Sequence, residues 1–282
     1  MSIDRQNTYF LYVDYRTRRE AAKTFEQENV TIKILTFSSY GKFLPFGYSH
    51  LLVAAAFIKA RLDVLHGPAN VVPLGYPKKT VITLHDLAIY HHPEWFPQQI
   101  FSTRLLVPQS LKRAEQIIAV SQASADDAKE LFSIPAKKIT VIPEAADTAL
   151  LPLNDKDQDI DAIYKLPKKF VLYVGTIEPR KNLPILFQAW EHILRHRPEL
   201  LKDTELLLAG GIGYGGTDII PQIAKMKLEH SIRHLGYLSH NNKVMLPKRA
   251  SAFVFLPFYD GFGLPVLGAP TLRVPLIPTN TF

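Results

Sequence analysis

Short apolar, β-branched runs that alternate with helical stretches constrain this chain more than any other feature. Tyr9–Val13, Val30–Leu35, Asp63–His66, Lys79–Leu84, Gln116–Val120, Lys169–Gly175, Glu205–Ala209, Ser231–Leu235 and Ala252–Leu256 have the length and composition of strands. Helical patterns separate them at Arg18–Gln27, Ser49–Arg61, Phe101–Ala114, Ala125–Phe132 and Asn241–Ala250. Another follows Asn182, where Ile185, Leu186, Ala189, Trp190, Ile193 and Leu194 recur at 3.6-residue spacing. Such alternation specifies an α/β chain built on doubly wound parallel sheets. Ligands of those sheets sit beyond the carboxyl ends of the strands. The residues that terminate each strand are therefore where chemistry is to be sought.

Ala252–Leu256 breaks into Asp260, Gly261, Phe262 and Gly263, and Leu264 and Pro265 then open a helix. Glycines let a ligand approach the main chain, and the free N–H groups and dipole of a helix start favour a phosphate, so the segment fits an anion seat. The same spacing also suits an ordinary tight turn. Lys169–Gly175 runs into Thr176–Asn182, which sets Arg180 and Lys181 just before a helix capped by Asn182 and entered by Pro184. That geometry aims cationic donors at a bound phosphate, although two solvated cations in a turn would have the same spacing. Lys79–Leu84 delivers His85. Gln116–Val120 delivers Ser121 and Ser124, either of which can cap the helix whose first turn carries Asp126 and Asp127.

Two further patterns are weighed and set aside. Gly211, Gly213 and Gly216 satisfy G-x-G-x-x-G, but no acidic residue stands near Leu235–Tyr237 to take a ribose hydroxyl, so a nicotinamide nucleotide is not expected. His91 and His92 suggest a metal with His85, yet the loop Tyr90–Pro97 lacks ligands at helical metal-binding spacing, and no metal site is expected.

The segment YDGFGLPVLGA, from Tyr259, resembles the (E/D)GFGLPxLEA stretch of GT-B glycosyltransferases of the large retaining family 4, group 1. VGTIEPRKNL, from Val174, is similar to that family's diphosphate-holding segment. DVLHGPANVVPL from Asp63, KTVITLHDLAIYHHPEWFP from Lys79 and AEQIIAVSQASADDAKELFSIPAKKITVIPEAAD from Ala114 extend the likeness from about Asp63 to Asn280. The resemblance implies a GT-B fold, two Rossmann-like domains facing a cleft. Residues 1–160 would form the acceptor side and 161–282 the donor-binding side, joined through the polar, acid-rich linker Leu150–Leu166.

It also implies transfer of a hexose, mannose at family level, from a GDP- or UDP-linked donor to a hydroxyl acceptor on a glycan or lipid-linked saccharide, with retention, as in polysaccharide biosynthesis. On this reading Arg180 and Lys181 hold the diphosphate, with Gly175 and the backbone of Gly261, Phe262, Gly263 and Leu264 beside the nucleotide. Asp260 orients the sugar, His85 lies near it across the cleft, and no cofactor beyond the donor is required. The glycine run Gly211–Gly216 becomes a mobile loop near the donor cleft.

The chain departs from the family pattern in several places. Asp260 replaces the first of two glutamates eight positions apart, and Gly268 replaces the second. Gly268 and Pro270 fall where relatives continue in a helix, and a proline inside a helix costs about 3 kcal/mol. Glu144 stands in the middle of a segment that reads PNGVD in many relatives, and is taken as interdomain and uncommitted. Relatives begin with a strand and glycine-rich loop not seen here and run on beyond Asn280, so the expectation is a chain shortened at both ends. The alternative reading is a noncatalytic remnant that either binds a partner or has no function.

Composition limits the other classes. With 47% hydrophobic and 21% charged residues the chain is globular. No apolar run approaches the ~18 residues that span a bilayer, and the N-terminus has no signal pattern, so a cytoplasmic protein is the default. The absence of cysteine excludes disulfides and thiolate chemistry. The net charge of +7 is scattered in pairs such as Arg18–Arg19, Lys78–Lys79, Lys137–Lys138 and Lys168–Lys169, without interleaved aromatics. Nucleic acid is therefore not an expected partner. Contact with an anionic membrane at its inner face is left open, and oligomeric state is not legible.

Overall fold

The computed structural model describes residues 4–14, 16–25, 27–35, 51–97, 100–145, 160–238, 240–263 and 273–279. The chain begins with β1 (Tyr9–Asp14), α1 (Arg18–Thr24) and β2 (Val30–Leu35). The two strands pair in parallel, with Tyr9 opposite Val30 and Asp14 opposite Leu35. Helix α1 stops short of the expected Gln27. Phe25 leaves helical geometry, its N–H closing on Ala21 O, and the Val30 N–H then turns back onto Gln27 O.

Next come α2 (Val53–Lys59), β3 (Val64–Gly67) and β4 (Lys79–Leu84), whose strands run parallel with Val64 opposite Lys79. A small core of Ala54, Phe57, Leu65 and Tyr76 holds this part. Phe57 meets Tyr12 and Tyr76 edge to face at ring separations of 4.7 and 6.2 Å, the arrangement that the ring quadrupoles favour. α3 (Ala88–His91), α4 (Ile100–Arg113), β5 (Gln116–Ala119), α5 (Gln122–Phe132) and β6 (Ile139–Val141) follow, and β3-β4-β5-β6 is the strand order of one sheet.

The remaining elements are α6 (Ile160–Tyr164), β7 (Lys169–Val174), α7 (Leu183–His196), β8 (Thr204–Ala209), α8 (Pro221–Lys225), β9 (Ile232–Gly236), α9 (His240–Arg249), β10 (Ala252–Phe255) and β11 (Leu276–Pro278). They build a five-stranded parallel sheet in the order β11-β10-β7-β8-β9. From β7 the chain winds outward through β8 and β9, then returns to the other side of β7 with β10. The gap between β7 and β10 is thus the topological switch point, where open α/β sheets place their ligands.

Strand β8 is buried through Leu206, Leu207, Leu208 and Ala209, because a central parallel strand is covered on both faces and needs an unbroken apolar run. Helix α7 lays Leu183, Leu186, Phe187 and Trp190 into the same core. By its contacts the chain divides into two compact units, Met1–Thr83 with Leu105–Ile117, and Leu84–Arg104 with Ile118–Phe282.

Two expectations are corrected. The end of the predicted linker is a helix: α6 buries Ile160 in the sheet core, Asp161 pairs with Arg249, and the Tyr164 hydroxyl accepts from Asn242 Nδ2 at 2.9 Å. Acid-rich composition concealed the apolar face formed by Ile160 and Tyr164. Asn182 stands at the N-cap of α7 in the left-handed region (φ 56°), and its side chain makes no capping hydrogen bond. It turns the chain rather than capping the helix, a role open to asparagine because its short polar side chain tolerates that region. Pro184 does lie in the first turn of α7.

Candidate functional site at the switch point

Strand β7 delivers Gly175, whose N–H donates to Ala209 O at 2.9 Å and continues the ladder with β8. Beyond it Ile177 is buried. Its N–H donates to Gly211 O and its carbonyl accepts from Gly213 N, both at 2.9 Å, which closes a parallel bridge between Ile177 and Ile212. A β-carbon on Gly216 would stand 2.0 Å from Ile177 O. The glycine run is therefore laced to the loop after β7. Its glycines serve the close approach of two backbones.

The chain then makes one tight turn, Pro179–Lys181, before Asn182 directs it into α7. The Arg180 carbonyl accepts from Phe258 N at 3.0 Å, tying this turn to the loop after β10. Across the switch point Lys181 Nζ lies 2.5 Å from Asp260 Oδ2, and Arg180 Nη1 lies 3.7 Å from Asp260 Oδ1. Arg180 Nε donates to Glu178 Oε1 at 2.5 Å. Its Nη1 is buried and, among the described residues, makes no hydrogen bond.

Burial pushes the Lys181 ammonium below its ordinary range and Arg180 adds to that, against the attraction of Asp260 and Glu178. The Lys181 ammonium also lies 5.1 Å from the centroid of the Phe255 ring. Two cations and two carboxylates thus share one small volume. The unsatisfied Nη1 is a donor suited to an anionic oxygen.

Strand β4 ends at His85. Its Nδ1 lies 3.1 Å from Glu144 Oε1, and the bond requires the hydrogen on Nδ1, since an ionised carboxylate only accepts. Glu144, expected to be uncommitted, is therefore a partner of this imidazole. The sequence alone could not pair them, because they lie on different strand ends. Ser121 caps α5 as predicted, accepting from Ser124 N at 3.1 Å, and Ser124 Oγ donates to His85 O at 2.8 Å.

Gly261 packs directly against that His85 carbonyl, where a β-carbon would come within 2.0 Å. The second unit thus brings His85, Arg180, Lys181, Asp260 and Gly261 together. Phe262 is half-buried, and Gly263 is buried at a φ of 78°. Leu264, the helix expected from it, Gly268 and Pro270 lie outside the described residues.

His91 and His92, considered with His85 as metal ligands, engage separate carboxylates. His91 Nε2 is 3.0 Å from Asp127 Oδ1, and His92 Nδ1 is 3.0 Å from Glu94 Oε1. His92 also stacks on Trp95 at 3.9 Å. Sequence reasoning passed over Glu178, Tyr259 and the second role of Asp127. Glu178 could have been found from its place two residues before Arg180. The Tyr259–Asp127 contact spans 132 residues and leaves no local trace.

A cation pair and a facing carboxylate thus stand at the switch point of a doubly wound sheet, and the chain has the GT-B fold of glycosyltransferases. The Anabaena protein HepE, solved in complex with UDP and glucose, superposes with a TM-score of 0.67 at 18% identity, covering 96% of this chain and 72% of that one. Residues 9–150 match Glycosyltransferase Family 4 and residues 155–282 match Glycosyl transferases group 1, so the chain belongs to the family 4, group 1 glycosyltransferases.

Among curated relatives, O-antigen chain mannosyltransferase B of Escherichia coli is 30% identical over 77% of this chain and 57% of its own length. Serotype-specific mannosyltransferase WbdA of Escherichia coli is 27% identical over 72% of this chain and 26% of its own length. The chain thus spans little more than half of the first relative and about a quarter of the second.

Proposed function

We propose that this chain transfers a hexose from a UDP- or GDP-linked donor to a hydroxyl of a glycan or lipid-linked saccharide, with retention. Residues 1–160 would serve as the acceptor side and 161–282 as the donor side. The observation that carries the reading is the Arg180–Lys181–Asp260 cluster between β7 and β10, with an Arg180 nitrogen buried and unsatisfied. Mannosyltransferases among the relatives favour mannose, while the complex of HepE with UDP favours the uracil base.

In the transfer, the acceptor oxygen forms a bond to the anomeric carbon as the bond from that carbon to the diphosphate oxygen breaks. The diphosphate leaves with the electron pair and takes the acceptor's proton. Arg180 and Lys181 neutralise the charge that grows on it, with the Gly261–Gly263 backbone alongside and no metal invoked. Asp260 orients the sugar, and His85, its tautomer set by Glu144, contacts the sugar or the acceptor.

Calorimetric titration with UDP and GDP tests the reading, with the Arg180→Ala, Lys181→Ala double variant as control. Saturable binding by the wild type that is lost in a folded variant supports it and names the base. A folded wild-type chain that binds neither nucleotide overturns it. Gly268, at the place of the family's second glutamate, favours the rival reading of a noncatalytic remnant, for which the double variant would change nothing and no sugar would leave either UDP-glucose or GDP-mannose.

A further inference from the structure

The loop that carries Asp260 is fixed on both sides of that residue by groups the transfer reaction does not use. On its amino side, the Tyr259 hydroxyl donates to Asp127 Oδ2 at 2.5 Å and accepts from Leu87 N at 3.4 Å. The other oxygen of Asp127 takes His91 Nε2 at 3.0 Å, and the His91 and Tyr259 rings lie 5.7 Å apart. Both oxygens of a carboxylate only 16% exposed are therefore occupied. On its carboxyl side, Gly261 abuts His85 O. Two residues before Asp260, Phe258 N donates to Arg180 O.

Asp260 is thus the middle residue of a main-chain stretch held at 258, 259 and 261, and its own side chain faces the two cations. Residues 85–91 and the first turns of α5 supply the fixed points on one side. The Arg180 turn supplies the other. A tyrosine serves where phenylalanine would fill the same space, and its hydroxyl is the only part that reaches both Asp127 and the Leu87 amide.

We infer that Tyr259 is a positioning residue. Held by Asp127, which His91 holds in turn, it sets the backbone of Asp260 so that the carboxylate meets the donor sugar rather than relaxing wholly onto Lys181. The inference rests on the proposed function, since it concerns how the sugar of that donor is oriented. It assigns Tyr259, Asp127 and His91 to the sugar and leaves the diphosphate to Arg180 and Lys181. Removing the hydroxyl should therefore weaken recognition of the sugar and spare recognition of the nucleotide.

The test is calorimetric, on the full chain, with UDP, UDP-glucose, GDP and GDP-mannose as probes. For the wild type, the ratio of the Kd of the nucleotide to that of its nucleotide sugar measures the share of the sugar. In Tyr259→Phe that ratio should fall about 10-fold, the loss of one oriented charge-assisted hydrogen bond, while the Kd for the bare nucleotide stays within about 2-fold. Asp127→Asn, which keeps the shape but can accept on only one side, should produce the same selective loss. The double variant should lose no more than the larger single, because the two residues act through one contact.

An unchanged ratio in Tyr259→Phe overturns the inference. So does an equal fall in affinity for nucleotide and nucleotide sugar, which would mark a merely structural residue. Failure of the wild type to bind any of the four probes overturns the functional reading itself. Wild-type binding with an intact ratio in the variants overturns only the role of Tyr259.

Discussion

The Cα of Gly261 lies so close to the His85 carbonyl oxygen that a β-carbon there would stand 2.0 Å from it, with Asp86 Cβ 2.9 Å away. Both neighbours are held, the carbonyl by Ser124 Oγ and the following turn by the Asp86 side chain, which accepts from Ala88 N at 3.2 Å. Gly261→Ala should therefore move the loop and not the strand end. We expect a stability loss of about 1–3 kcal/mol, as for other overpacked sites. Nucleotide-sugar affinity should fall at least about 10-fold, since a shift of an ångström in a binding group costs that much or more. Urea unfolding and calorimetry on the same preparation measure the two effects.

Removing Lys181 alone leaves Asp260 enclosed without its ammonium partner, and breaking such a pair costs about 3 kcal/mol. Lys181→Met should be destabilised by about that amount in urea. Adding Asp260→Asn should recover part of it, because the double variant holds no unpaired charge. A double variant less stable than the sum of the singles would contradict this account of the cluster.

Ser121 lies two residues beyond β5 and accepts from Ser124 N at the start of α5. Ser121→Ala should cost about 1 kcal/mol and Ser121→Gly only a few tenths, while Ser121→Asp should be close to neutral. Thermal unfolding of the three variants ranks them. Equal losses in alanine and aspartate would show that the hydroxyl acts through something other than the cap.

Burial, first of all, raises both the Tyr173 and the Tyr259 phenols above their ordinary 10.0, and Asp127 raises Tyr259 further. In the unfolded chain these groups lose their protons near pH 10, whereas in the native chain they keep them. Above that pH the native state holds more protons, and stability falls as pH rises. Lys181 has the opposite sign: its lowered value lets the native chain release a proton before the unfolded chain does at 10.5, so it adds stability as pH climbs toward that value. Tyr259→Phe should make the alkaline loss shallower by up to about 1.4 kcal/mol per pH unit, measurable in melting temperatures between pH 9 and 11.5. A slope unchanged in the variant would rule Tyr259 out as a source of the loss.

The parallel sheets, the strand ends and the family were legible because each rests on local pattern. LLLA in β8 and KFVLYV in β7 have the unbroken apolar runs of strands buried on both faces. Arg180, Lys181 and Asp260 were found from their neighbours in sequence. Their mutual pairing was not, since it depends on β10 returning beside β7. Glu144 escaped for the same reason, and α6 because four acidic residues between Asp155 and Asp161 outweighed two apolar ones in composition. Asn182 shows the limit of a position-specific rule: it occupies the predicted N-cap, but its backbone conformation there is left-handed.

The return of β10 to the far side of β7 also sets the order in which the site can come into being. Lys181 and Asp260 are 79 residues apart. A chain emerging from its N-terminus completes β7, β8 and β9 before the strand that carries Asp260 exists. During that interval the edge of β7 destined for β10 is unpaired, a place where another strand could add. Buried Lys181 meanwhile has no Asp260 to meet. Assembly of the site is thus a late, long-range event, and synthesis that stalls before β10 leaves a sheet already built around an incomplete seat.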